Sequence, residues 1–220
     1  MEGFLTSAAL GTIPHGFSTS DGFDLPDVVP STSLVRAKQV HSADVKIVTQ
    51  AWDDPPEADA LVTNKTGLAL GIVTADCAPV LLADPHAGVI GAAHAGWRGA
   101  LNGVIENTVA AMVSLGASID SIGAAIGPTI AQDSYEVDQA FRDQFEESDG
   151  RFFQPGREGH LQFDLPAYVA QRLGLAGVGL VEDLREDTYT QPARFFSFRR
   201  ATHRNEPTGG RQLSVIGLPA

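Results

Sequence analysis

Along this chain short, wholly apolar runs are separated by turn-forming residues, and helical spacing appears only in places. Residues 68–74 (LALGIVT), 78–83 (APVLLA) and 89–94 (VIGAAH) have the length and near-continuous apolar character of strands buried on both faces. Asp84-Pro85-His86-Ala87-Gly88 joins the last two with turn chemistry: Pro fixes its φ, and Gly is free to take a positive one. Residues 101–115 (LNGVIENTVAAMVSL) set Leu101, Val104, Ile105, Thr108, Val109 and Met112 on one side of a helix. The pattern also predicts a strand over 121–126 running into Gly127-Pro128, helices over 132–147 and 166–173, and a last strand over 214–218. Strands and helices are interspersed, and some strands are joined by tight hairpins. The expected class is therefore a mixed-sheet α+β or α/β fold. No repeat, low-complexity tract or Pro/Ser-rich linker divides residues 1–220, so one domain is expected.

Symmetric pairing about the centre of the turn, between Pro85 and His86, sets Cys77 opposite His94. Cross-strand partners have Cβ atoms roughly 5 Å apart on one face, and a one-residue slip sends one side chain to the other face. Cys77 is the only cysteine in the chain. Three readings stay open for the pair. Cys77 is a small core residue beside a hydrogen-bonded histidine, or a nucleophile whose thiol pKa the imidazole lowers, or a metal ligand. Thiolate and imidazole favour zinc or copper over magnesium or calcium. A third ligand would favour metal. His41, in VRAKQVHSADVKIV, is a candidate, though nothing local brings it to Cys77. His86 lies in the turn, His160 and His203 fall in expected polar loops, and His15 in IPHGFSTS is a loop or pocket residue.

Composition narrows the classes. Apolar residues at 43% and charged residues at 19% describe an ordinary globular protein. No apolar run reaches the roughly 18 residues of a membrane span. A net charge of -12 argues against binding nucleic acid or anionic membrane through bulk charge. The stretch MEGFLTSAALGTIPHGFSTS has no basic n-region, and one cysteine forms no internal disulfide, so the expected compartment is cytoplasmic. Five arginines fall between Arg194 and Arg211, where Glu206 is the only acid; this is a solvated loop or a local anion site.

KQVHSADV, ADALVT, TADCAPVLLADP, AAHAGWRGALNGVIENTV, AAIGPTIAQDSYEVD, FFSFRR and TGGRQLSVIGL occur in the order found in the YfiH/laccase-domain family, which the chain resembles from about Gly16 onward. That family formerly bore the name multicopper polyphenol oxidase and is associated with purine nucleoside phosphorylase activity. The resemblance implies a layered α/β sandwich and a single zinc, or copper, held by His41, Cys77 and His94. It also implies a relation to deamidases that use a Cys–His pair. The chain departs from the family in a shorter stretch before Gln39, without an SLN segment. It also lacks the cysteines common near YEV and before FFSYRR, which leaves too few soft ligands for a multicopper centre.

The implied function is zinc-dependent phosphorolysis of adenosine, inosine and methylthioadenosine, with adenosine deamination. Small-molecule nucleoside and phosphate would be the partners; the sequence assigns no oligomeric state. Alternatives are a Cys–His hydrolase acting on amide or cell-wall peptide substrates, a copper-dependent phenol oxidase and a non-enzymatic metal-stabilised module. A three-ligand zinc leaves a fourth position for water or substrate. Zinc deaminases need a nearby carboxylate to move protons, and Asp76 is a candidate if the backbone bends there. Phosphate suits arginine forks and backbone N–H groups at a helix start, as in HAGWRG, where Arg98 would serve. Arg199 or Arg200 could add charge, and Phe195, Phe196 or Phe198 could stack on the base. Gln39 could share a strand face with His41 and bind substrate. Tyr135 and Glu136 are further pocket candidates.

Overall fold

The computed structural model describes residues 3–220; of the N-terminal stretch and the domain considered above, Met1 and Glu2 lie outside the described residues. Two mixed sheets stack face to face. The first runs β1 (Phe4–Leu5), β2 (His15–Ser18), β14 (Gln212–Leu218), β6 (Leu68–Thr74), β3 (Ser33–Val35), antiparallel except for β6 with β3. The second runs β13 (Leu180–Asp183), β9 (Gly123–Ile126), β7 (Ala78–Asp84), β8 (Val89–Ala95), β5 (Ala60–Thr63), β4 (Val45–Ile47), with the two outermost pairs parallel. A smaller antiparallel ribbon has β12 (His160–Phe163) between β10 (Glu136–Asp138) and β11 (Phe153–Pro155).

Every residue of β7 and β8 is buried, which accounts for their unbroken apolar runs. Alternation sends Leu81, Ala83, Ile90 and Ala92 toward Leu70, Ile72 and Ile216 of the first sheet. It sends Val80, Leu82, Val89 and Ala93 the other way, onto helices. Helix α3 (Val104–Ser114) lays Val104, Ile105, Thr108, Val109 and Met112 there, and α5 (Leu165–Leu175) adds Tyr168, Val169 and Leu173. Each such fully buried aliphatic side chain contributes about 1.5–3 kcal/mol. Gly91 lets α3 come close: a Cβ there would meet Met112 Sδ at 3.1 Å and Thr108 Cγ2 at 3.3 Å. The outer face of the first sheet is covered around α1 (Leu25–Val28), where Val28 and Val29 meet Ala69 and Val215.

Four expectations change in detail. The helix over 101–115 is broken by Gly103 at φ 95, so α2 (Trp97–Leu101) ends before α3 begins. The helix over 132–147 does not form: a 3-10 turn (Gln132–Ser134), β10 and the short α4 (Gln139–Arg142) occupy it. There Tyr135, Phe141 and Phe145 join Phe153 and Phe163 in one aromatic cluster, and β10 pairs with β12. Packing has overridden the helical spacing. The hairpin register is displaced because Asp84 stays in the ladder opposite Val89. Its Oδ1 accepts the N–H groups of His86 and Ala87, closing a four-residue turn, so Pro79 and not Cys77 faces His94. The displacement is two residues at Cys77, which therefore keeps its face and lies diagonally from His94. Finally, the arginine-rich stretch is no plain loop, since α6 (Phe198–Arg204) lies within it and contains His203, and His160 is in β12. His15, the other candidate for a loop or pocket, is buried in β2, where Ile13 carbonyl and Ser7 N–H occupy both its ring nitrogens.

Candidate metal centre

Strand β6 leaves the first sheet at Thr74, and β7 enters the second at Ala78. Cys77 is the last residue of the crossing. Asp76 before it has φ +87, an uncommon conformation for a residue with a Cβ. That is the bend a carboxylate beside Cys77 requires. His94 is the penultimate residue of β8, and His41 lies on a bend between β3 and β4 with φ +61. The bend wraps around the carboxylate of Asp59, which is fully buried. Val40 N–H (3.1 Å), His41 N–H (2.9 Å), Ser42 N–H (2.6 Å) and Ser42 Oγ (2.9 Å) all donate to it. His94 Nδ1 donates to the same carboxylate at 2.7 Å, and His94 N–H to the Asp59 carbonyl at 2.7 Å. One aspartate thus places both histidines.

The ligand atoms of His41, Cys77 and His94 lie within 4.8 Å of one another. Cys77 Sγ is 3.9 Å from His41 Nε2, and the two imidazole centroids are 4.8 Å apart at 71°. His41 is exposed, Cys77 half-buried and His94 buried. Burial opposes the Cys77 thiolate, but hydrogen bonds and charge from His41 and His94 outweigh it and bring the thiol down to about 6. Burial likewise opposes the His94 imidazolium, and Asp59 with Cys77 outweighs it, holding the imidazole up to about 9. For Asp59, too, burial opposes the charge, and His94 with the surrounding N–H groups outweighs it, keeping the carboxyl well below the usual carboxylate range.

The donor set fits a metal ion. Two nitrogens and a thiolate around a zinc at ordinary bond lengths would sit about 3.5 Å apart, a small contraction from the spacing here. With Nδ1 of His94 committed to Asp59, Nε2 is the nitrogen left for a metal, which would displace its proton on binding. Gly96 leaves the necessary room: a Cβ there would lie 2.9 Å from Cys77 Sγ and 3.2 Å from His41 Cδ2. The cluster could hold a metal ion, and it is the one group of three such side chains among the described residues.

The cluster opens into a cleft of about 610 Å³. Gln39, Asp76, Arg98 and Arg199 line it as well. The Gln39 amide is clamped to the backbone of β6, donating to Val73 O at 2.8 Å and accepting from Val73 N–H at 2.9 Å. Arg98 is exposed, its guanidinium 5.0 Å from the Trp97 ring centroid. The Arg199 guanidinium stands 5.3 Å from the Tyr135 centroid and donates to the Glu136 carbonyl at 2.8 Å. Arg200 turns inward onto the carbonyls of Thr188, Tyr189 and Phe195. Phe195 is fully buried and Phe196 does not line the cleft; Phe198 does. Trp97, Tyr135 and Arg199 also wall a neighbouring cavity of about 370 Å³, onto which Glu136 faces. Sequence reasoning missed Asp59, while Arg211, read only as the end of the arginine-rich stretch, lines the cleft as well. The signal for Asp59 was one acid entering a wholly apolar strand, where a buried charge must be paired.

A two-sheet α+β sandwich of this topology is the YfiH type of fold. Residues 26–219 match the family described as multi-copper polyphenol oxidoreductase laccase, and the chain belongs to that family. A purine nucleoside phosphorylase of Rickettsia prowazekii (strain Madrid E) is 43% identical over 186 residues, 83% of this chain and 75% of that protein. One of Deinococcus radiodurans is 42% identical over 189 residues, 84% of this chain and 70% of that protein. The crystal structure of the hypothetical protein YfiH of Bacillus licheniformis superposes with a TM-score of 0.87 at 26% identity, covering 99% of this chain and 97% of that one. A Neisseria meningitidis protein superposes with 0.86 at 29% identity, covering 100% of both. No helix among the described residues is long and apolar enough to cross a membrane.

Proposed function

We propose that this protein is a zinc-dependent purine nucleoside phosphorylase, active on adenosine, inosine and methylthioadenosine and able to deaminate adenosine. It works in the cytoplasm as one domain over residues 1–220. The observation that carries the reading is a single cleft in which His41, Cys77 and His94 converge among Arg98, Arg199 and Arg211. Relatives 42–43% identical that bear the purine nucleoside phosphorylase name support it.

His41, Cys77 and His94 would hold the zinc, which when bound supplies Lewis acidity toward an oxygen in the cleft. Asp59 fixes the His94 ring and the bend that carries His41. Arg98 and Arg199 offer guanidinium forks to phosphate. Tyr135 and Phe198 offer ring faces to the purine, a role Phe198 takes in place of Phe196 because only the former reaches the cleft. Gln39 keeps the wall beneath the substrate rigid. In phosphorolysis a phosphate oxygen bonds to C1′ of the ribose as the bond from C1′ to the purine breaks. The purine leaves with the electron pair and gains a proton, and ribose 1-phosphate remains.

The test is turnover of adenosine by zinc-loaded protein with and without phosphate, resolving adenine, inosine and hypoxanthine by chromatography. Phosphate-dependent adenine supports the reading, and inosine its deaminase part. No product in either condition with zinc bound refutes it. A second reading has its own observation: the Cys77 thiol lies within 4.8 Å of the His94 imidazole, whose other nitrogen bonds to Asp59. A Cys–His amide hydrolase would be active without metal and silenced by alkylating Cys77.

A further inference from the structure

The cleft contains one carboxylate, Asp76, and its surroundings are distinctive. Thr188 Oγ1 donates to Oδ1 at 2.6 Å, and Arg199 N–H donates to Oδ2 at 2.6 Å. The Asp76 carbonyl accepts Thr129 Oγ1 at 2.7 Å and Ile130 N–H at 3.0 Å. Thr188 and Thr129 are themselves buried and joined through Thr188 N–H and the Thr129 carbonyl at 3.0 Å. Four bonds from three separate segments therefore converge on one residue held in a strained backbone conformation, next to Cys77. Strain of that kind persists only where the surroundings over-determine it.

We infer that Asp76 is a positioning residue for phosphorolysis: it ties the crossing that carries Cys77 to the start of α6, so that Cys77 and Arg199 keep their places across the cleft, and phosphorolysis does not depend on a proton it carries. The inference rests on the nucleoside reading only for the role of Arg199 toward phosphate. Each carboxylate oxygen holds one of these bonds, so the place of the carboxylate fixes that of Thr188 and of the Arg199 backbone together.

Substitution separates the two roles. In Asp76→Asn the amide oxygen accepts from Arg199 N–H, and the amide N–H₂ donates to the Thr188 hydroxyl, which can accept as well as donate. The tie survives and the proton carrier is gone. In Asp76→Ala both bonds are lost, and in Thr188→Val one. The experiment measures zinc affinity by competition with a chromophoric chelator, the KM for phosphate, and turnover. Asp76→Ala is expected to weaken zinc by about ten- to hundredfold, the usual effect of removing a group that holds a ligand in place, and to raise the phosphate KM. Asp76→Asn should recover most of both, and Thr188→Val should fall between. A folded Asp76→Asn protein with wild-type zinc affinity but no turnover overturns the inference in favour of a proton carrier. Unchanged zinc affinity and phosphate KM in Asp76→Ala overturn it too. Should Asp76→Ala fail to fold, Thr188→Val against Asp76→Asn decides. If the wild-type protein turns over no nucleoside, the functional reading falls, while the order of zinc affinities still tests the tie.

Discussion

Asp59→Asn changes one atom at the most heavily engaged side chain of the site. In the wild type Oδ2 accepts Val40 N–H, Ser42 N–H and Ser42 Oγ, while Oδ1 accepts His41 N–H and His94 Nδ1. The amide oxygen best replaces Oδ2, which has three donors. The amide N–H₂ then faces His41 N–H and His94. His41 N–H becomes a buried donor without a partner, costing about 1–3 kcal/mol, and the charge-assisted bond to His94 forfeits about 1.5–3 kcal/mol. Together the loss is about 2.5–6 kcal/mol of folding stability. His94 can recover a bond only by accepting at Nδ1. That moves its proton to Nε2, the nitrogen a metal needs, so zinc affinity falls at least ten- to hundredfold, by order of magnitude. Urea denaturation of the zinc-free protein measures the first effect and chelator competition the second. Wild-type zinc affinity in the variant would refute the argument that Asp59 sets the His94 tautomer.

Gly96→Ala should abolish metal binding while leaving the fold intact, because the new Cβ strikes the side-chain atoms Cys77 Sγ and His41 Cδ2 and no backbone; chelator competition and a thermal melt check the two halves. In zinc-free protein the alkylation rate of Cys77 should rise with pH through a midpoint near 6, since the thiol is held there by the two histidines, and bound zinc should suppress it. Asp84 is ionised more readily folded than unfolded: burial opposes this, but the N–H groups of Ser118, Ala87 and His86 outweigh it. Its contribution is therefore full above the unfolded value of about 4 and is lost as pH falls through the lower folded value. Urea titrations from pH 6 downward should show a shallower loss of stability in Asp84→Asn than in wild type, and equal slopes would count against the capped turn.

The central strands were legible because burial on both faces leaves no polar position to confuse the pattern, as in β6, β7 and β8. The apolar side of α3 was legible for the opposite reason, since a helix with one wet face shows its period. The ladder was misread by the smallest slip that preserves the faces, because a turn built on Asp84 looks the same in sequence whether that residue ends the strand or begins the turn. Residues 132–147 misled because Tyr135, Phe141 and Phe145 belong to one aromatic cluster with Phe153 and Phe163, whose packing a helical reading of the segment could not show. Cys77 with His94 followed from hairpin geometry. His41 did not, because a carboxylate eighteen residues further on, Asp59, sets its place, and nothing local announces a side chain that organises a distant bend. The resemblance supplied what spacing could not.

The first sheet has a further consequence. Its middle strand, β14, pairs with β2 on one side and β6 on the other, so strands from opposite ends of the sequence must meet before that sheet exists. Cys77 is set only where β6 hands over to β7, and His94 only within the second sheet. The three ligands therefore come together after the long-range pairings have formed, late in a search slowed by loop closure. A zinc finger folds around its metal; here Asp59 holds both histidines by hydrogen bonds without an ion, so a metal would meet a prepared receptor, open on the side where His41 is exposed. A metal bound there would add to the stability of the native state by mass action, and the fold would not need it to form.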